Sequence, residues 1–208
     1  MTRLRFIEPQ LASPVDEPPA GKHWVHEIKH DGYRSQVVIE RGQVRVFSRN
    51  GHDWSDRYPS IVRAAASLRC KSAIIDGEAI VQNGNGASDF EALSSAMRRQ
   101  PHSIILYAFD LLHLDGTDLR QQTLLERRAN LKQLVGADDQ SRIQFSDEFD
   151  GDGAPCSTPA LRRSLRASSP NMHSPIGLVA ARHGSRPNAS PSPPSWWSGL
   201  TATARPAH

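Results

Sequence analysis

A chain of 208 residues with 38% apolar and 23% charged positions has room for one good core or two small ones, which excludes the fibrous and wholly disordered classes. A formal net charge of +3 and a sequence pI near 9.1 permit contact with a polyanion without requiring it. No apolar run reaches the roughly 18 to 20 residues that span a bilayer, and M-T-R-L-R-F-I-E-P-Q lacks the apolar stretch of a signal peptide, so a cytoplasmic protein with no membrane partner is expected.

In chain order, β-rich runs and helical patterns alternate from about residue 22 to residue 150. S-Q-V-V-I-E and Q-V-R-V-F-S predict two strands joined as a hairpin, and Y-P-S-I-V-R-A-A-A-S-L-R predicts a helix with Ser60 as its N-cap. S-A-I-I-D-G-E-A-I-V is the next strand, D-F-E-A-L-S-S-A-M-R-R a helix opening near Ser88 or Asp89, and S-I-I-L-Y-A-F-D-L-L a further strand. T-L-L-E-R-R-A-N-L-K-Q-L-V-G predicts a third helix, carried by Leu124, Leu125, Leu131 and Leu134 and stopped by Gly136. The class is α+β. Cys70 and Cys156 stand far apart with no C-x-x-C pattern, so neither a disulfide framework nor a zinc site is expected, and any metal must take oxygen ligands.

After Gly153 the composition changes. Residues 154–208 are rich in Pro, Ser, Ala and Arg, hold no acidic residue, and show neither helical nor strand period. The expected organisation is an ordered domain over residues 1–153 and an irregular tail over 154–208 that does not fold alone.

The stretch E-I-K-H-D-G-Y-R, residues 27 to 34, carries the chemistry. A lysine amine attacks phosphorus only when deprotonated, and free lysine titrates at about 10.4, so a nucleophilic lysine needs desolvation or cationic neighbours and a tight turn that presents it. Lys29 follows the apolar Ile28 at a strand end, Gly32 can supply the turn, and Arg34 offers a fork for phosphate or sugar. Glu27 shares a strand face with Lys29 by the period of two and can accept from a base amino group. The same short motif also fits a hairpin with exposed charges.

The ordered series K-H-D-G-Y-R (29 to 34), S-R-N-G (48 to 51), D-G-E-A-I-V (76 to 81), Y-A-F-D-L-L-H-L-D-G (107 to 116) and L-L-E-R-R (124 to 128) resembles the nucleotidyltransferase domain of ATP-dependent DNA ligases. It is most similar to the ligase module of the bacterial end-joining subfamily, DNA ligase D, and F-I-E-P-Q-L-A and F-S-D-E-F-D-G-D-G are similar to that subfamily too. The resemblance implies a nucleotidyltransferase (ATP-grasp-like) fold of antiparallel sheets flanked by helices, incomplete at its C-terminal end. It implies that Lys29 takes AMP from ATP as a phosphoramide. Glu27 and Ile28 belong to the nucleotide pocket, with Glu27 on the adenine amino group. Arg34 and Arg49 contact ribose or phosphate, Glu78 binds ribose or a magnesium-bound water, and Phe109 stacks on adenine. ATP and Mg2+ are the implied cofactors and nicked or broken duplex DNA the substrate. End-joining polymerase and nuclease modules and a Ku-type end-binding protein are the implied partners, with use at the nucleoid. An RNA ligase or capping guanylyltransferase shares the K-x-D-G pattern, and a non-catalytic DNA-binding remnant is the alternative outside enzymes. Asp110 and Asp115 are expected to be structural, and His26, His30, His52 and His113 to be surface or core histidines.

The family pattern next calls for a Glu-Gly-x-Val-x-Lys strand and a Trp-x-Lys-x-Lys strand, and neither occurs in residues 154–208. Both appear when codons are read one base out of register. L-R-A-S-S-P-N-M (165 to 172), written TTG AGG GCA TCG TCT CCA AAC ATG, gives GAG GGC ATC GTC TCC AAA CAT, which is Glu-Gly-Ile-Val-Ser-Lys-His. The codons around C-S-T-P-A yield Leu-Phe-Asp-Ala-Cys, and those around R-H-G-S-R-P-N-A yield Pro-Ala-Trp-Ile-Lys-Thr-Lys-Cys, in the same frame and in family order. First and second bases are mostly set by the amino acids, so ordered matches are hard to reach through synonymous choice alone. A one-base loss near the codons for Ala154 and Pro155 is therefore expected. It accounts for the missing acids and for the Trp196-Trp197 pair, and it implies weak or no activity in this chain.

Overall fold

Val37, Val38 and Ile39 stand consecutively in one strand and all are buried, which a strand achieves only when both its faces are covered. The computed structural model describes residues 3–10, 12–15, 25–149, 165–168, 178–181 and 200–202. In chain order the strands are β1 (Ala12–Val15), β2 (Val25–Ile28), β3 (Tyr33–Glu40), β4 (Gln43–Ser48), β5 (Ser72–Ile80), β6 (Ile105–Leu114), β7 (Thr117–Asp118), β8 (Ile143–Phe145), β9 (Glu148–Phe149), β10 (Leu165–Ser168), β11 (Leu178–Ala181) and β12 (Leu200–Ala202). The helices are α1 (Pro59–Ala66), α2 (Phe90–Arg99) and α3 (Leu124–Val135). Two compact units result, residues 1–9 with 30–146, and residues 10–29 with 147–208.

In the first unit the strands run β4-β3-β5-β6-β7 with antiparallel neighbours, and β8 joins β6 in parallel. One face of this sheet, through Val37, Ile75 and Leu111, packs against Ile61 of α1, Leu93 of α2 and Leu131 of α3. The other face, through Val38, Phe47, Ile74 and Leu112, is covered by Leu4, Phe6 and Ile7. That N-terminal segment is pinned by Gln36, whose Oε1 accepts from the Ile7 N–H (2.8 Å) and whose Nε2 donates to the Ile7 carbonyl (3.0 Å). Burial on both faces is why these strands read as continuous apolar runs rather than alternations.

The helices follow their caps, with one correction. The Asp89 side chain accepts from the Ala92 N–H at 2.9 Å and opens α2. Thr123 and Glu126 form a capping box that opens α3, and Gly136 closes it with φ +76°. Ser60, expected as the N-cap of α1, lies inside the first turn and is buried. Pro59 explains the shift: its fixed φ and missing N–H suit the first helical position, so the helix begins there and Tyr58 precedes it.

Helix α3 departs further from a hydrophobic reading. Leu124 and Leu131 are buried as expected, but Leu125 is 44% exposed while Arg127 and Arg128 are buried. Asp110, at the centre of β6, is the reason. Arg127 Nε donates to Asp110 Oδ1 (2.8 Å) and Nη2 to Oδ2 (3.0 Å), both residues being fully buried. Arg128 donates to the carbonyls of Phe109 (3.0 Å) and Ser146 (2.7 Å), tying α3 to the backbone of β6 and to the residue after β8. Asp115 is structural in a different way: its Oδ1 accepts from the N–H groups of Lys71 (2.6 Å) and Ser72 (3.0 Å).

The second unit contains a sheet of order β1-β11-β12-β10-β2-β9. Strand β2 pairs antiparallel with β10, Glu27 opposite Arg166, and with β9, Glu27 opposite Glu148. Residues 10–29 group with residues 147–208 through these pairings. Three short strands lie within residues 154–208. Each has four residues or fewer, too short to display the period of two that marks a strand in sequence.

Candidate functional site: a clamped arginine wall and the lysine turn

The D-G-E run places Asp76 and Glu78 on one face of β5, because alternate residues share a face, and burying two carboxylates there demands a cation. Arg34 of β3 supplies it. It stands opposite Glu78 in register and diagonal to Asp76. Its Nε donates to Asp76 Oδ1 (3.2 Å) and its Nη2 to Oδ2 (2.9 Å), a two-pronged pair in which Asp76 is 3% exposed. The guanidinium carbon lies 5.2 Å from the centre of the Phe109 ring. Burial alone would lower the Arg34 pKa, but the adjoining Asp76, together with Glu78 and Asp110, raises it, so the group is a permanent cation. Gly77, between the two acids, is required by packing, since a Cβ there would lie 2.6 Å from the Tyr107 carbonyl of β6.

Arg34, Glu78 and Phe109 are thus brought together in the first unit, with Phe109 1% and Glu78 9% exposed. Arg49 lies in the same unit at the turn that follows β4 and is exposed. Glu27, Ile28 and Lys29 belong to the second unit: Glu27 and Ile28 end β2, Glu27 is 1% exposed, and Lys29 follows directly, half-buried. Asp76 was missed as a site residue. The signal for it was the D-x-E spacing itself, which puts two acids on one buried strand face.

The turn after Lys29, residues 30–32, is held within the first unit at several points. A Cβ on Gly32 would lie 2.2 Å from the Ala79 carbonyl, so only glycine lets β3 begin where it does. The Asp31 N–H donates to Ser88 Oγ (3.1 Å). His30 stacks on Tyr107, with ring centres 4.0 Å apart and planes 18° from parallel. The Tyr107 hydroxyl accepts from Gln82 Nε2 at 2.8 Å, and burial raises its pKa, so it is neutral at physiological pH. Among the described residues no group of three or more His, Cys, Asp or Glu side chains could hold a metal ion, and no helix is long and apolar enough to cross a membrane.

A fold of antiparallel strands with few helices, a K-x-D-G turn and an acid-held arginine wall define a nucleotidyltransferase domain. The chain belongs to the ATP-dependent DNA ligase domain family, whose model matches residues 9–168. It is 44% identical over 142 residues to the multifunctional non-homologous end joining protein LigD of Pseudomonas aeruginosa, a match covering 68% of this chain and 17% of that protein. A DNA ligase of Pyrobaculum arsenaticum is 30% identical over 134 residues, covering 60% of this chain and 23% of the other. The crystal structure of the ligase domain from M. tuberculosis LigD superposes with a TM-score of 0.66 at 26% identity, covering 81% of this chain and 56% of that one. A mycobacterial DNA ligase D complexed with ATP and MES shares the fold, with a TM-score of 0.66 at 23% identity, covering 94% of this chain and 60% of that one. The chain therefore spans only 17% of the length of the LigD protein it matches, and its homology is to the ligase part of an end-joining protein.

Proposed function

We propose that residues 1–153 are the adenylation module of an ATP-dependent DNA ligase that works in end joining, with Lys29 as nucleophile. One observation carries this most: the K-H-D-G turn is built around a glycine that no other residue can replace, directly after a strand-end lysine. The Lys29 amine attacks the α-phosphorus of ATP, a P–N bond forms, the bond to the bridging oxygen breaks, pyrophosphate leaves and the amine proton passes to solvent. The 5′-phosphate of a broken strand then displaces the lysine and takes AMP, and the 3′-hydroxyl displaces AMP and closes the backbone. Catalysis of this kind rests on positioning and charge neutralisation.

In this reading Glu27 and Ile28 act on the base, Phe109 offers the stacking face, and Arg34 and Arg49 hold ribose or phosphate. The donor set fits magnesium in a limited way. Mg2+ is commonly held by one or two carboxylates with phosphates and waters completing its shell, and Glu78 is one of the two carboxylates on this face of β5. Bound there, the ion would offset triphosphate charge. Duplex DNA would be held through its phosphates, with strong salt dependence and little sequence preference, at the nucleoid and beside polymerase, nuclease and Ku-type partners.

Residues 154–208 we read as the product of a one-base loss near codons 154 and 155. As translated they hold no Asp, Glu or Lys, so they can supply neither a metal-binding glutamate nor a triphosphate lysine. The position of β10 supports this reading: its codons, shifted, spell the start of Glu-Gly-Ile-Val, and β10 pairs with β2, the strand that leads into Lys29. Weak or no nick sealing is the expected behaviour of the 208-residue chain, and a one-base insertion is expected to restore it. Resequencing decides the genetic part: stop codons in the alternative frame would sink it. Preference for nicked DNA over RNA ends, and for ATP over GTP, separates a DNA ligase from an RNA ligase or capping enzyme.

A further inference from the structure

The contacts around the lysine turn close on themselves. Gln82 and Ser88 face each other in an isolated antiparallel bridge. Ser88 Oγ accepts from the Asp31 N–H (3.1 Å), and Gln82 Nε2 donates to the Tyr107 hydroxyl (2.8 Å). Tyr107 stacks on His30 with ring centres 4.0 Å apart, and His30 is bonded to Asp31, which completes the circuit. Its members come from the 82–88 loop, from β6 and from the turn itself, all within the first unit. The loop is braced independently, since Asn83 Oδ1 accepts from the N–H groups of Asn85 (2.9 Å) and Ala87 (3.1 Å).

We propose that His30 and Tyr107, locked by Gln82 and Ser88, are positioning residues for the lysine that precedes them. The inference rests on the assignment of Lys29 as nucleophile. A nucleophile on a flexible strand end loses the orientation on which in-line attack depends, and the residue bonded to Lys29 is the one that the circuit immobilises. The stack does this work in preference to the hydroxyl, because it reaches the turn directly. The hydroxyl reaches it through Gln82, the bridge and Ser88.

The test uses the 208-residue chain and needs no ATP. Deuterium exchange over residues 29–33 is measured in the native chain, Tyr107→Ala, Tyr107→Phe and His30→Phe, together with the acylation rate of Lys29 relative to Lys132. Losing an aromatic stack is expected to speed exchange in Tyr107→Ala by about threefold to tenfold and to change the relative Lys29 rate by about threefold. Tyr107→Phe and His30→Phe, which keep paired rings, are expected to stay within about twofold of the native chain. Unchanged exchange and acylation in Tyr107→Ala would overturn the proposal. So would a rise spread evenly over β3, β5 and β6, or equal effects of Tyr107→Ala and Tyr107→Phe. Failure of Lys29 to accept AMP from ATP in an otherwise active module would instead remove the nucleophile assignment, leaving the circuit as a device of the fold alone.

Discussion

Residues 30–146 and residues 154–208 differ in how their levels of organisation agree. In the first, cap chemistry, apolar period and buried charge point to the same fold: Thr123 caps the helix that carries Arg127, and Arg127 meets Asp110 on the strand that carries Phe109. In the second, a stretch without Asp, Glu or Lys carries adjacent tryptophans and proline runs, and its sequence shows neither helical nor strand period. Agreement across levels is what selection for folding leaves behind. Its loss at one point in the chain is what the proposed change of reading frame would leave behind.

The largest effect expected from this comparison is genetic. Restoring the frame with one inserted base should take nick sealing from near zero to readily measurable with ATP and magnesium, and Lys29→Ala in the restored chain should abolish it. Next is the buried pair. Asp110→Ala removes the carboxylate that accepts from buried Arg127 and should cost about 3–5 kcal/mol in urea unfolding, whereas replacing both partners by apolar residues of similar volume should come close to neutral. Ile75→Ala, at a fully buried position of β5, should cost about 2–5 kcal/mol in urea unfolding. A cost near zero would break the comparison. Thr123→Ala should remove about 1 kcal/mol through loss of the capping box.

The smallest effect is a pH slope. His113 Nε2 accepts from the Gly116 N–H (3.2 Å), and burial holds its pKa below the usual 6.5 despite the pull of Asp118, Asp115 and Glu40. The unfolded chain therefore takes up this proton at a higher pH than the folded one. Stability should fall as pH drops through 6.5 toward the folded value and level off below it, and His113→Gln should flatten that part of the curve.

Much of the first unit was legible in the sequence, because β3, β4, β5 and β6 are long enough to show their β-rich character and α2 and α3 announce their caps. Ser60 misled because serine is a good N-cap, and Pro59 one residue earlier had already set the helix start. Leu125 and the two arginines of α3 misled because hydrophobicity assigns the inside to leucine, whereas Asp110, 17 positions away, brings a cation inside. Lys29, Arg34 and Glu78 are singled out by the order of their motifs, and their roles remain proposals. The Asp76 clamp depends on a diagonal between two strands, and the His30–Tyr107 stack joins the lysine turn to a strand that begins 75 residues later. Neither is written in any local pattern.

One measurement addresses the assignment of Lys29 most directly. The frame-restored chain and its Lys29→Ala variant are incubated with α-labelled ATP and magnesium, beside the 208-residue chain. Label retained on the restored chain, absent from Lys29→Ala and weak or absent on the 208-residue chain is the expected result. Label that survives in Lys29→Ala, or a folded restored chain that takes none, would contradict it.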